Sequence, residues 1–174
     1  MANNIKQVDN VNGGKFNLSD IEIAAIRGVE QGLTQLKMLD VNTQSDATES
    51  LSEGDAGKLI VIPNVGQDSV YSLPAPKVGL HFHIVGFGAL AADGHDVSFH
   101  TNTLNTDFFH GAIVHHDTNE TGQTTSVVYG DGDSNDKIKL DIPQFFDINF
   151  LGKSSTSWYV WGHSCSDTVI TIGD

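Results

Sequence analysis

The chain has 174 residues, with 22 acidic against 9 basic side chains and a formal net charge of -13, a length that fits one main domain on the usual scale of roughly 100–200 residues. An acidic field of this kind without a Lys/Arg patch repels phosphate backbones and argues against direct nucleic-acid binding. The single cysteine, Cys165, excludes an intramolecular disulfide and a metal site built from several thiolates, and no run of about 20 apolar residues is available for a membrane-spanning helix.

Residues 1–17 are rich in Asn and Gly and lack a basic segment followed by a long apolar core, so no cleavable signal peptide is expected. Ser19 with Glu22 fits a helical capping box, and Ile21, Ala24, Ala25 and Val29 could follow on one face. Gly28 and Gly32 weaken that helix, while the alternation of Ile21 and Ile23 leaves a short strand open. Leu33, Leu36, Met38 and Leu39 continue the apolar signal before the polar TQSDATES. Residues 1–50 thus form an N-terminal arm or accessory segment, too poor in apolar mass to make a core alone. Ile21, Leu33 and Leu36 are its candidate contacts with the body or a neighbouring subunit; a locally packed strand and helix is the other option.

From Leu51 the pattern changes to short β-type runs separated by Gly, Pro, Asn and Asp: KLIVI, Val70-Tyr71, Leu80 to Ile84, Val97/Phe99, Ile113/Val114 and Val127 to Tyr129. Pro74 and Pro76 fix backbone torsions in SLPAP, and Gly79 permits a tight entry into the strand LHFHIVG. Ile138, Leu140 and Ile142 are expected on one face, with Lys137, Lys139 and Asp141 towards solvent. Phe146, Ile148 and Phe150 repeat the period after Pro143. Trp158 and Val160 alternate with Tyr159 and Trp161, so one face of that strand fills the core and the other meets a loop or a subunit. The expected fold is all-β: an antiparallel β-sandwich or jelly-roll-like body over 51–174, without an internal repeat that demands a solenoid.

His81 and His83 share a strand face and are candidate metal ligands, although two imidazoles are too few for a closed structural site. Asp131, Asp133 and Asn135 match the opening positions of a calcium loop. Asp136 stands where that loop needs Gly, however, and Ile142 where it needs Glu, so DGDSND reads as a solvated hairpin turn. Neither set leads us to expect a metal or other cofactor. His115, His116 and Asp117, and Ser164-Cys165-Ser166 after His163, contain catalytic residue types without a nucleophile elbow or a base-and-orienter pattern. A cupin-like site at His81 and His83 lacks the downstream carboxylate and final His, and no catalytic residues are assigned.

The succession GDAGKLIVIPN, SLPAPKVGLHFHIVG, DKIKLDI and SSTSWYVWG resembles β domains of tailed-phage virion proteins, from about Leu51 to Asp174, and most closely the capsid decoration, or cement, proteins. The strand before the last aromatic one departs from that pattern, reading FFDINF. The resemblance implies a non-enzymatic structural protein on the outer capsid surface of the virion, made in the host cytoplasm. It further implies a homotrimer that binds the major capsid protein and clamps adjacent subunits. Trp158, Tyr159 and Trp161 are the candidate interface residues of the body. A tail-fibre or appendage module that binds a host-surface receptor or glycan is the alternative.

Overall fold

The computed structural model describes residues 41–44, 48–87, 94–118, 124–166 and 168–173, which belong to the compact unit Asp40–Asp174. The strands in chain order are β1 (Val41–Thr43), β2 (Glu49–Ser50), β3 (Leu59–Ile62), β4 (Ser69–Ser72), β5 (His81–Phe87) and β6 (Val97–His100). They continue with β7 (Phe108–Asp117), β8 (Thr125–Asp131), β9 (Lys137–Leu140), β10 (Pro143–Gly152), β11 (Ser157–Ser166) and β12 (Thr171–Gly173). Glu53–Asp55 forms a 3-10 turn. The fold is all-β, as the short alternating runs require. The body begins before residue 51, because β1 and β2 already pair within the two sheets. Ile21, Leu33 and Leu36 lie outside the described residues.

One sheet has seven strands in the order β1-β3-β5-β10-β11-β7-β8, and the other has five in the order β12-β9-β6-β4-β2. Their inner faces carry the alternating apolar residues. Phe82 and Ile84, then Phe146, Ile148 and Phe150, then Trp158 and Val160 come from the larger sheet; Tyr71, Val97, Phe99, Ile138 and Leu140 come from the smaller, all in one buried cluster. Phe99 ties the layers together, its ring centroid 5.8 Å from that of Phe146 and 5.4 Å from that of Phe150. Each such side chain contributes about 1.5–3 kcal/mol by leaving water.

The expectation of an antiparallel body needs correction, because the sheets are mixed. β1–β3, β3–β5, β2–β4, β4–β6 and β7–β11 pair in parallel. From β1 to β7 the chain alternates between sheets, so each return to a sheet follows a strand in the other layer and the returning strand runs parallel to the one before. That detour supplies the long crossover that parallel neighbours need. The later β10–β11 hairpin and the β7–β8 pair are antiparallel.

Two segments singled out in the sequence turn out to be crossings between layers. The PAPKVG turn links β4 of the smaller sheet to β5 of the larger. Gly79 lies at φ 85, its N–H donates to the Gly152 carbonyl at 3.0 Å, and Leu80 N–H donates to the Lys77 carbonyl at 3.0 Å. DGDSND links β8 to β9, which lie in different sheets, so it is a crossing and not a hairpin between paired strands. The chain crosses back at Asp141-Ile142. Ile142 adopts φ 43 there, which takes it off the face shared by Ile138 and Leu140.

Candidate functional site

With Phe146, Ile148 and Phe150 pointing inward, period-two alternation turns Asp147 and Asn149 outward. Cross-strand register then assembles the outer face of the seven-stranded sheet in rows. His83, Asn149, Trp161, Ala112 and Tyr129 are successive neighbours in one row, and Val85, Asp147, His163, Val114 and Val127 in the next. Leu151 stands beside His81 and Tyr159, and Tyr159 beside His110, in a flanking row.

The face is ordered by side-chain bonds. His83 Nε2 donates to Asp147 Oδ1 at 2.8 Å, and His81 Nε2 donates to Asn149 Oδ1 at 3.1 Å. The His81 ring stacks on Trp161, with centroids 5.9 Å apart and planes 12° apart. His116 and His163 stack at 6.3 Å and 12°. The Lys153 ammonium sits 5.0 Å from the Tyr159 ring centre. Between Trp161 and His163 is an open depression of about 380 Å³, with Ala112, Val114 and Gly162 among its lining residues and Asp147, Asn149 and His163 as its polar ones.

The sequence-predicted residues sort as follows. His81 and His83 do share a face, but each is directed to an amide or a carboxylate. Among the described residues no three His, Cys, Asp or Glu side chains gather as a metal-holding group. Tyr159 and Trp161 are 40% and 44% exposed, whereas Trp158 is fully buried. Trp158 is therefore core, in edge contact with Phe82 at 5.7 Å between centroids. Two side-chain oxygens of the exposed Asp-rich loop bond back to the loop's own backbone. Asp131 Oδ1 accepts from Asp133 N–H at 3.1 Å and Ser134 N–H at 3.3 Å, and Asn135 Oδ1 accepts from Asp131 N–H at 2.9 Å. Those backbone donors, the Asp133 N–H first, hold the Asp131 carboxyl below its ordinary pKa despite an opposing effect of desolvation.

His115 and Ser164 are brought together, with Nδ1 and Oγ 3.1 Å apart, but both are fully buried. Across the β7–β8 pair, His115 faces Ser126. His115 Nε2 and Ser126 Oγ are buried without a hydrogen-bond partner among the described residues. Asp147 and Asn149 are the surface residues that sequence reasoning passed over. The signal was present in FFDINF, where two polar residues interrupt three apolar ones at strand period.

The sequence matches no model of a known protein family and no curated protein with which it was compared.

Proposed function

We propose that this chain is a structural virion protein that binds the outer surface of an assembled phage capsid and stabilises contacts between major-capsid subunits, acting as a homotrimer. The observation that carries this is where the exposed apolar side chains fall. Among the described residues seven large hydrophobics are exposed, and Val127, Tyr129, Tyr159 and Trp161 all lie on the outer face of one sheet, Tyr129 at 71% and Val127 at 61%. A cluster of exposed aromatics on a firm sheet is the composition of a macromolecular contact surface. The resemblance of the SLPAPKVGL and SSTSWYVWG segments to decoration proteins supplies the partner. Contacts of this kind favour the assembled shell over separated subunits by mass action. The sealed position of the His115–Ser164 pair supports a non-catalytic role.

The test is co-sedimentation with purified shells of the phage that carries the protein, beside free coat subunits. Binding to shells should saturate and binding to free subunits should be weak. Val127→Ser with Tyr129→Ser should weaken shell binding at least about tenfold; full binding by the double variant, or none by the unaltered protein, would refute the proposal. The second reading, an appendage module that binds a host-surface glycan, is favoured by the depression beside Trp161. A reconstruction of the particle separates the two, through density on the shell or on a distal appendage.

A further inference from the structure

We infer that the depression between Trp161 and His163 is a binding site for a neutral pyranose sugar. This rests on the second, glycan-binding reading and is independent of whether the Tyr129 side of the sheet grips a shell. A sugar ring presents an apolar C–H face and a rim of hydroxyls, so its site needs a fixed aromatic wall beside hydrogen-bonding groups held in place.

Both are present. His81 covers one face of the Trp161 indole and is itself held by Asn149, which leaves the opposite indole face for a ligand. Asp147 is oriented through Oδ1 by His83, and its Oδ2 makes no hydrogen bond or ion pair among the described residues. With its carboxylate 40% exposed, Oδ2 is placed to accept a sugar hydroxyl. The Asn149 amide lies next to it, its Nδ2 3.5 Å from Asp147 Oδ1, and offers a donor. His163 stacks on His116 without a ring-nitrogen bond among the described residues, and supplies a further polar group across the depression.

The size and charge select the class. About 380 Å³ lies at the small end of the range of roughly 300–1,000 Å³ for small-molecule sites, enough for one or two sugar rings. The Asp147 carboxylate and the chain's net charge of -13 oppose sialic acids and phosphorylated sugars. Nothing about Ala112 and Val114 obstructs a ring that slides over the sheet towards Trp161, since both are small and line the depression.

The test titrates the intact protein with methyl glycosides of glucose, galactose, mannose and N-acetylglucosamine, and with short oligomers of each. Sialyllactose serves as the anionic control, and binding is read by calorimetry and ligand-observed magnetic resonance. At least one neutral glycoside should bind saturably, and sialyllactose should not. Trp161→Ala and Asp147→Asn, each checked for folding by circular dichroism, should each weaken binding at least about tenfold. The paired Val127→Ser and Tyr129→Ser variant should bind sugar normally, so that loss of shell binding and loss of sugar binding are read apart. Absence of saturable binding by every neutral glycoside overturns the inference, as does unaltered affinity in either the Trp161 or the Asp147 variant.

Discussion

His115 shows what one residue contributes to the pH behaviour of the whole sandwich. Burial, the largest influence, pushes its imidazole below the ordinary histidine pKa; Asp117 opposes the shift and His116 adds to it. His100 is shifted the same way, first by burial and then by Lys137, against Asp136. The unfolded chain takes up these protons near pH 6.5, the ordinary value of about 6.5, while the folded chain keeps both rings neutral to lower pH. The unfolded state therefore binds more protons in that window, and stability falls as pH drops below about 6.5 until the folded-state values are passed. Urea midpoints measured at pH 7, 6 and 5 should decline, and His115→Gln should flatten the decline while His100 maintains part of it. An identical slope in the variant would show that His115 is not a contributor. At this scale the sequence was legible in alternation: Phe146, Ile148 and Phe150 are all fully buried. Trp158 was less so, because strand period separates Trp158 from Trp161 without saying which face the second sheet covers.

Strands and turns were recognisable from Gly and Pro punctuation, but their pairing was not. SLPAP with Gly79 was readable as a rigid turn, since proline and glycine act locally. That it spans two sheets depends on its bonds to Gly152, 73 residues further on than Gly79 by their positions in the chain. The same contact makes Gly152 a sensitive position. A Cβ there would lie 1.9 Å from the Lys77 carbonyl oxygen, whereas one at Gly173 would meet nothing within 4 Å. Gly152→Ala should force the PAPKVG turn away from the end of β10 and destabilise the fold by about 1–3 kcal/mol. Gly173→Ala should stay within about 0.5 kcal/mol. Equilibrium urea unfolding checks both, and equal stability of the two variants would remove the close approach as a structural constraint. The candidate sugar site was hidden for a similar reason: Asp147, Trp161 and Ala112 come from three strands whose order in the sheet departs from their order in the chain.

Over the whole molecule, the winding of β1 to β7 between the two sheets explains why the local pattern of short alternating runs indicated a sandwich but not its mixed pairing. From β1 to β6 each strand's parallel neighbour is reached by a detour through the other layer, and no local residue pattern encodes that. The winding also sets where the folded body starts. β1 pairs with β3 from Val41↔Leu59 to Thr43↔Val61, and Gln44 N–H donates to the Val61 carbonyl at 2.8 Å. These contacts cover the edge of a strand whose Ile60 and Ile62 are core residues. A chain lacking residues 1–39 should therefore keep a single cooperative urea transition, because the described core cluster lies wholly between Leu51 and Ile172. A chain lacking residues 1–45 should lose the β1 edge as well, and be less stable by about 1–3 kcal/mol. If the arm ties neighbouring subunits on a shell, the shorter deletion should lower shell occupancy with its urea midpoint little changed, which separates attachment from folding. An unfolded product of the 1–39 deletion would mean that the sandwich depends on that segment, and equal stability of the two deletions would mean that β1 adds nothing to the sheet it borders.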